Sequence, residues 1–409
     1  MAHIAWLGKK SPFCGNVTYG LSTTEALRQR GHRISFIHFD TPQGLAQRRD
    51  ELDISGQRPS VPTPVNGARP AAWKADDPEV ALPYLMKSQV YTIPSPGAQR
   101  ELRESLERLQ PDVVHASLTL SPLDFRLPDL CQQLGMPLVA TFHPAFDASL
   151  RNLSAGTQQL TYQLYAPSLA KFDRVIVFSE LQADVLTRLG VKESRLAVIP
   201  NGVDPDCWSP APQDDPSLAR FRQTFGGKRV FLYMGRIATE KNVEALLKAW
   251  RLVRPAGCQL VIVGDGPLRA SLQQTGGVEP DVHWWGYEAD LATRVALLRV
   301  AEVFLLPSLV EGLSLALLEA MASGTACVAT DAGADGEVLE GGAGIVISTQ
   351  GVTTQLRTLL PVLRDQPVLT AELGRRARAR VLERYTLNRN IDALERLYAE
   401  LVPQSSLAA

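Results

Sequence analysis

Short apolar runs recur along the chain with helical patterns between them. IAWL (Ile4–Leu7) is followed by a helical pattern over Ser22–Arg30 and then by ISFIHF (Ile34–Phe39), and VVHAS (Val113–Ser117) and LVATFH (Leu138–His143) continue the series. Strand, helix and strand in alternation predict a parallel sheet with crossover helices. The rhythm resumes with VFLYMG (Val230–Gly235), a helix over Asn242–Arg254, LVIVGDG (Leu260–Gly266), VFLLPS (Val303–Ser308) and a helix opening near Leu313. The pattern predicts an α/β protein of two doubly wound halves.

Length agrees, because 409 residues exceed the roughly 250–300 at which one hydrophobic core stops growing. Between the halves lies VDPDCWSPAPQDDP (Val203–Pro216), which is rich in Pro and Asp and reads as a linker. We place the boundary near Asp206, giving a first domain over 1–206 and a second over 207–384. In the remaining 385–409 a helical pattern, Leu387–Leu401, follows the basic stretch GRRARARV (Gly374–Val381) and is read as packing back on the first domain. The stretch Gln43–Pro96 interrupts the rhythm with prolines but carries Trp73, Tyr84, Leu85, Met86 and Tyr91. It reads either as a surface insertion or as a flap that meets an acceptor or a membrane surface.

Composition narrows the function classes. Apolar content of 45% with 21% charged residues is that of a soluble globular enzyme, and a net charge of −1 provides no basic stripe for nucleic acid. Five scattered cysteines without a Cys-x-x-Cys pair argue against a disulfide framework and a zinc site. The start MAHIAWLGKK lacks the layout of a signal peptide, and no apolar run approaches the length of a spanning helix. A cytoplasmic protein is expected, with peripheral contact at a membrane surface left open.

Candidate chemistry gathers at strand ends. In VEGLSLALLEAMASG, Glu311 and Glu319 stand eight positions apart, just over two helical turns, so both carboxylates can face one side. The N–H groups of Gly312, Leu313, Ser314 and Leu315 are expected free at the helix start, where the helix dipole favours phosphate. Read alone, Glu311 is as well explained as a helix cap and Glu319 as a solvated residue. GRIATEKN (Gly235–Asn242) places Arg236 and Lys241 in one loop, and fixed cations can neutralise a departing diphosphate. Gly264 and Gly266 in LVIVGDGP allow close approach of backbone to a ligand. In the first half, Gly15 and Asn16 lie in the loop after the first strand, where they can face a phosphate, and His143 ends a strand where an open sheet delivers side chains into its crevice. The pair Asp204 and Asp206 falls in the linker rather than at a strand end, so no metal site is expected.

Taken in order, the Gly-rich first loop, His143, VIPNGVD, GRIATEKN, LVIVGDGP and EGLSLALLEA resemble glycosyltransferase family 4 over nearly the whole chain. The resemblance implies a GT-B fold, two Rossmann-like domains facing across a cleft, and retaining transfer from a nucleotide sugar without a metal or other cofactor. It implies that Arg236 and Lys241 hold the donor diphosphate, that Glu311 meets the transferred sugar and Glu319 the ribose, and that His143 lies beside the sugar. Gly15 would approach the phosphates, although Cys14-Gly15 stands where the family has Gly-Gly. The opening WLGKKSPFCGNVTYG also resembles the cyanobacterial digalactosyldiacylglycerol synthase branch, which implies UDP-galactose as donor and monogalactosyldiacylglycerol as acceptor. A soluble sugar, sugar phosphate or polysaccharide is the rival acceptor. Outside the transferases, an NAD-dependent oxidoreductase lacks its G-x-G-x-x-G here, and a non-catalytic nucleotide-sugar-binding protein is disfavoured by the presence of Arg236, Lys241, Glu311 and Glu319 together.

Overall fold

The computed structural model describes residues 1–11, 15–40, 79–88, 91–144, 153–212, 215–277 and 279–402. The chain forms two compact units, one of residues 1–144, 160–200 and 388–409, the other of residues 145–159 and 201–387. Cys14, Trp73 and most of the stretch Gln43–Pro96 lie outside the described residues.

The first unit is built on seven parallel strands: β1 (His3–Leu7), β2 (Arg33–Phe39), β3 (Glu79–Leu82), β6 (Val113–Ser117), β7 (Leu138–Thr141), β8 (Arg174–Val177) and β9 (Leu196–Val198), in the order β3-β2-β1-β6-β7-β8-β9. Strands β4 (Tyr84–Lys87) and β5 (Thr92–Pro94) form a separate antiparallel pair. Winding starts at β1 and runs outward both ways, so strand order switches direction between β1 and β6. At such a point the loops leaving the two carboxyl ends diverge and open a crevice.

Helix Leu387–Leu401 belongs to this unit. Its buried Ile391, Leu394, Leu397 and Tyr398 recur at helical spacing. On its other side Arg30 reaches Asp392 at 2.9 Å and Glu395 at 3.3 Å. The Tyr398 hydroxyl lies 2.5 Å from His115 Nδ1 in the middle of the sheet.

The second unit has six parallel strands: β10 (Arg229–Met234), β11 (Cys258–Val263), β12 (Val282–Gly286), β13 (Ala301–Leu306), β14 (Ala326–Thr330) and β15 (Ile345–Ile347), in the order β12-β11-β10-β13-β14-β15. Here the switch point lies between β10 and β13. Every residue of β11 is buried, which is why its last four residues read as a continuous apolar run, LVIV, rather than as an alternation. Helix Val243–Val253 buries Val243, Leu246, Leu247 and Trp250 on one face, and full burial of each such side chain contributes about 1.5–3 kcal/mol.

Two expectations from the sequence need correction. The stretch read as a linker packs into the second unit: Trp208 is fully buried, its carbonyl accepts from Arg378 at 3.0 Å, and Val203 bridges to Thr386. One large side chain anchors a segment whose Pro and Asp content suggests a free connection. The first helix spans Gly15–Gln29 rather than opening at Ser22. Its first half, GNVTYGLS, has weak helical propensity, yet Val17, Thr18, Tyr19 and Gly20 are buried, and packing overrides propensity.

Candidate functional site

Both loops that leave the second unit's switch point carry candidate residues. Gly235–Asn242 follows β10, and Glu311–Ser314 leads from β13 into helix Leu315–Ala322. Lys241 Nζ donates to Glu311 Oε1 at 2.5 Å, and the Ser308 hydroxyl donates to the same oxygen at 2.8 Å. Glu311 is 7% exposed, so the pair sits in a poorly screened setting. Arg236 is more open, and among the described residues its guanidinium pairs with Glu240, at 3.4 Å, a surface contact of small worth. Tyr233 holds the Arg236 carbonyl at 2.6 Å and so fixes the loop's first turn.

At the helix mouth Ser314 is the cap, its hydroxyl accepting from the Leu317 N–H. Its own N–H donates to Asp335 Oδ1 at 2.9 Å, so of the four N–H groups expected free, that of Ser314 is taken. Those of Gly312, Leu313 and Leu315 make no hydrogen bond among the described residues. Asp335 is fully buried with Oδ2 unpartnered. Burial, reinforced by the Glu311 charge, pushes its pKa well up, while the hydrogen bond from Ser314 and the Lys241 charge oppose that rise. In the second turn of the helix, Glu319 is 2% exposed and accepts from Arg294 at 2.7 Å. Burial raises its pKa and the Arg294 guanidinium opposes that rise.

The glycines of these loops serve backbone packing. A Cβ on Gly264, whose φ is +133°, would lie 1.9 Å from the Gly235 carbonyl oxygen, and one on Gly266 would lie 2.3 Å from that of Ile237. The two loops therefore lie pressed together, tied by Gly235 N–H to Val263 and Ile237 N–H to Asp265, each 2.9 Å. Gly333, unremarked in the sequence, plays the same part under Glu311: with φ of +60°, its Cβ would fall 2.2 Å from the Glu311 carbonyl oxygen.

The first unit's switch point carries a different set. Asn16 Nδ2 donates to the Leu118 carbonyl at 3.2 Å, and Ser117 at the end of β6 donates to Asn16 Oδ1 at 2.7 Å. Ser117 Oγ also lies 2.8 Å from His143 Nε2. The His143 ring stands edge-on to Tyr19 at 5.0 Å and tilted to Phe178 at 5.3 Å. Burial, aided by the charge of Lys9, lowers its pKa to about 3, so the ring is neutral at physiological pH. Gly15 is exposed at the start of its helix, with nothing within 4 Å of an added Cβ.

The structure thus joins Lys241 to Glu311 and, through Ser117, Asn16 to His143. Sequence reading missed Ser117, Ser308, Arg294 and Asp335. Ser117 and Ser308 end apolar runs, so the strand-end rule that singled out His143 applies to them as well. Arg294 and Asp335 reach their partners only through the tertiary fold. The Asp204–Asp206 pair folds on itself, Asp204 Oδ1 accepting the Asp206 N–H at 2.9 Å.

Two α/β units with candidate residues at both switch points define the GT-B class of two Rossmann-like domains. HepE from Anabaena, solved in complex with UDP, superposes with a TM-score of 0.73 over 98% of this chain and 100% of its own at 16% identity, a likeness of fold. The family model for Glycosyltransferase Family 4 matches residues 15–207, and that for glycosyl transferases group 1 matches residues 228–365. Together these matches make the chain a glycosyltransferase of the GT-B class. Among its relatives, phosphatidyl-myo-inositol mannosyltransferase of Mycolicibacterium smegmatis is 27% identical, over 90% of this chain and 87% of the relative. Alpha-monoglucosyldiacylglycerol synthase of Streptococcus pneumoniae is 27% identical over 55% of this chain and 53% of the relative.

Proposed function

We propose that the protein is a retaining, metal-independent hexosyltransferase that moves galactose from UDP-galactose to monogalactosyldiacylglycerol, giving digalactosyldiacylglycerol, as a cytoplasmic protein peripheral to the membrane. The observation that carries the transferase reading is the second unit's cluster, in which Lys241 and Glu311 pair beside open N–H groups at a helix start. An ammonium has three protons, so Lys241 can hold Glu311 with one and a phosphate oxygen with another. With Arg236 and the helix start it supplies the positive potential that a metal ion provides elsewhere, and no cofactor beyond the nucleotide sugar is needed. Glu319, steadied by Arg294, is suited to accept from ribose hydroxyls.

Retention through a covalent intermediate needs a free carboxylate nucleophile. Glu311, with Oε1 spent on both Lys241 and Ser308, is a poor one. Attack from the leaving-group face is favoured instead: the bond from the anomeric carbon to the β-phosphate oxygen breaks, the acceptor oxygen bonds to that carbon, and its proton passes to the departing phosphate oxygen. His143 and Glu311 position the sugar.

A lipid acceptor is supported by the activities for which both relatives are named, by the WLGKKSPFCGNVTYG opening and by the exposed Leu85 and Met86 on β4 and Tyr91 just before β5. Among the described residues no helix is long and apolar enough to cross a membrane. UDP as carrier is supported by the UDP-bound HepE structure. The test is to incubate the protein with radiolabelled UDP-, GDP- and ADP-sugars, with and without vesicles of monogalactosyldiacylglycerol and with and without EDTA. Label should enter the lipid phase from UDP-galactose, undiminished by EDTA, in an α linkage by NMR. Transfer only to soluble sugars overturns the lipid acceptor, and abolition by EDTA with rescue by Mn²⁺ overturns metal independence. A β linkage overturns retention.

A further inference from the structure

The hydrogen bonds around His143 run in one direction. The Leu118 carbonyl can only accept, so the end of Asn16 that faces it at 3.2 Å is the NH₂ group, which turns Oδ1 toward Ser117. That oxygen can also only accept, and Ser117 at 2.7 Å has a single proton, which is spent there. What Ser117 presents to His143 Nε2 at 2.8 Å is therefore a lone pair, and the proton in that contact has to come from the ring. Ser117 is 1% exposed, so water does not rewrite the sequence of donors. Among the described residues His143 Nδ1 has no hydrogen-bond partner.

We infer that Asn16 and Ser117 are positioning residues that lock His143 in the Nε2–H tautomer and so leave Nδ1 as a lone-pair acceptor for a hydroxyl of the reacting sugars. The assignment of that hydroxyl rests on the transferase reading; the tautomer does not. A neutral ring carries its proton on one nitrogen only, and which one decides whether the ring donates to a ligand or accepts from it. A carbonyl or phosphate oxygen finds no donor at Nδ1, whereas a sugar hydroxyl finds an acceptor, so the chain selects by hydrogen-bond polarity. Tyr19 and Phe178 hold the ring plane from two sides, which leaves tautomer rather than rotamer as the remaining freedom.

The test uses the full-length protein with ¹⁵N-labelled histidine, read by long-range ¹H–¹⁵N correlation at neutral pH without substrate. Wild type should show His143 protonated at Nε2 alone. In Asn16→Ala the Ser117 proton is released toward Nε2, and a measurable fraction of Nδ1–H should appear. In Asn16→Asp, whose carboxylate still accepts from Ser117, the Nε2–H form should persist. Thermal melts of all three establish that each is folded. A wild-type ring protonated at Nδ1, or an Asn16→Ala ring unchanged from wild type, overturns the proposal whatever the enzyme transfers. Transfer assays on the same samples then bear on the hydroxyl: Asn16→Ala should lose about tenfold in turnover, the size of one hydrogen bond made in the transition state, with Asn16→Asp less affected. The expected tautomers with turnover unchanged in Asn16→Ala leave the lock standing and overturn the hydroxyl contact at Nδ1.

Discussion

The two switch points occupy equivalent places in their sheets, yet the linked side chains of one form ion pairs and those of the other are neutral, with the charge of Lys9 nearby. In the second unit Lys241, Glu311, Arg294 and Glu319 form two ion pairs with carboxylates under 10% exposed. In the first, Asn16, Ser117 and His143 are linked without a formal charge among them, and burial holds the histidine neutral. The difference fits the ligands proposed for the two sites. A diphosphate gains charge as it leaves and rewards preorganised cations, whereas hydroxyl groups are recognised by donor and acceptor polarity and gain nothing from a net charge.

The most direct way to break the charged half is Lys241→Ala. It removes a cation from the phosphate and leaves Glu311 buried with only Ser308 beside it, so turnover should fall by on the order of 10²–10³, about 3–4 kcal/mol. Steady-state kinetics check this, and a loss of tenfold or less makes Lys241 only the counter-ion of Glu311. Glu319→Ala should act next. A ribose contact exists equally in ground and transition states, so donor KM should rise by about tenfold while turnover holds. A fall in turnover at unchanged KM would move Glu319 into the chemistry.

Acid probes the neutral half. Burial lowers the pKa of His115 and His143 to about 3, below the roughly 6.5 of an unfolded histidine, so between these values the unfolded chain binds more protons than the folded one. Stability from these two residues is complete above about pH 6.5 and is lost as pH falls toward 3, by on the order of 1 kcal/mol per pH unit for each. Asp124 opposes them, since burial raises its pKa to about 6 and its contribution is complete below an unfolded value near 3.8 and lost as pH rises through 6, and Glu319 and Asp335, also raised by burial, act in the same sense. A pH series of thermal melts should show net loss on acidification from 6.5. His115→Gln, which keeps partners for Tyr398 and Thr141, should flatten that slope, and an unaltered slope would exclude His115 as its source.

What the sequence disclosed follows from how each feature is encoded. Central strands such as β10 and β11 are long apolar runs, and their carboxyl ends locate Arg236, Lys241, Gly264 and Gly266 before any contact is known. Three of the four edge strands of the two parallel sheets, β3, β9 and β15, are only three or four residues long and offer no run to read. Glu311 and Glu319 were legible as carboxylates of one motif, but only Glu319 lies on helix Leu315–Ala322, and Glu311 precedes it in the loop, so helical spacing does not relate them. Distant partners were not legible: Arg294 lies 25 positions from Glu319, and Asp335 lies 21 from Ser314, distances at which only the fold selects a neighbour. Ser117 and Ser308 stood within motifs already noticed, but a small hydroxyl announces no chemistry until its neighbours are known.

The smallest expected effect is the sharpest on whether the first loop reaches a phosphate. Gly15 opens its helix, and among the described residues an added Cβ meets nothing within 4 Å. Gly15→Ala should therefore leave the fold intact and stabilise it by about 0.4–1 kcal/mol, because alanine has fewer unfolded conformations to lose. A rise of a few degrees or less in melting temperature is expected, and a fall would mean that the loop adopts another backbone conformation. With stability preserved, donor affinity becomes interpretable. If the Gly15 backbone approaches the donor closely, a methyl group there has to stand in the ligand's place, and titration with UDP should show weaker binding at unchanged or improved stability. If UDP binds both forms alike, Gly15 leaves the list of donor contacts, and the first unit's contribution falls to the neutral chain of Asn16, Ser117 and His143 alone.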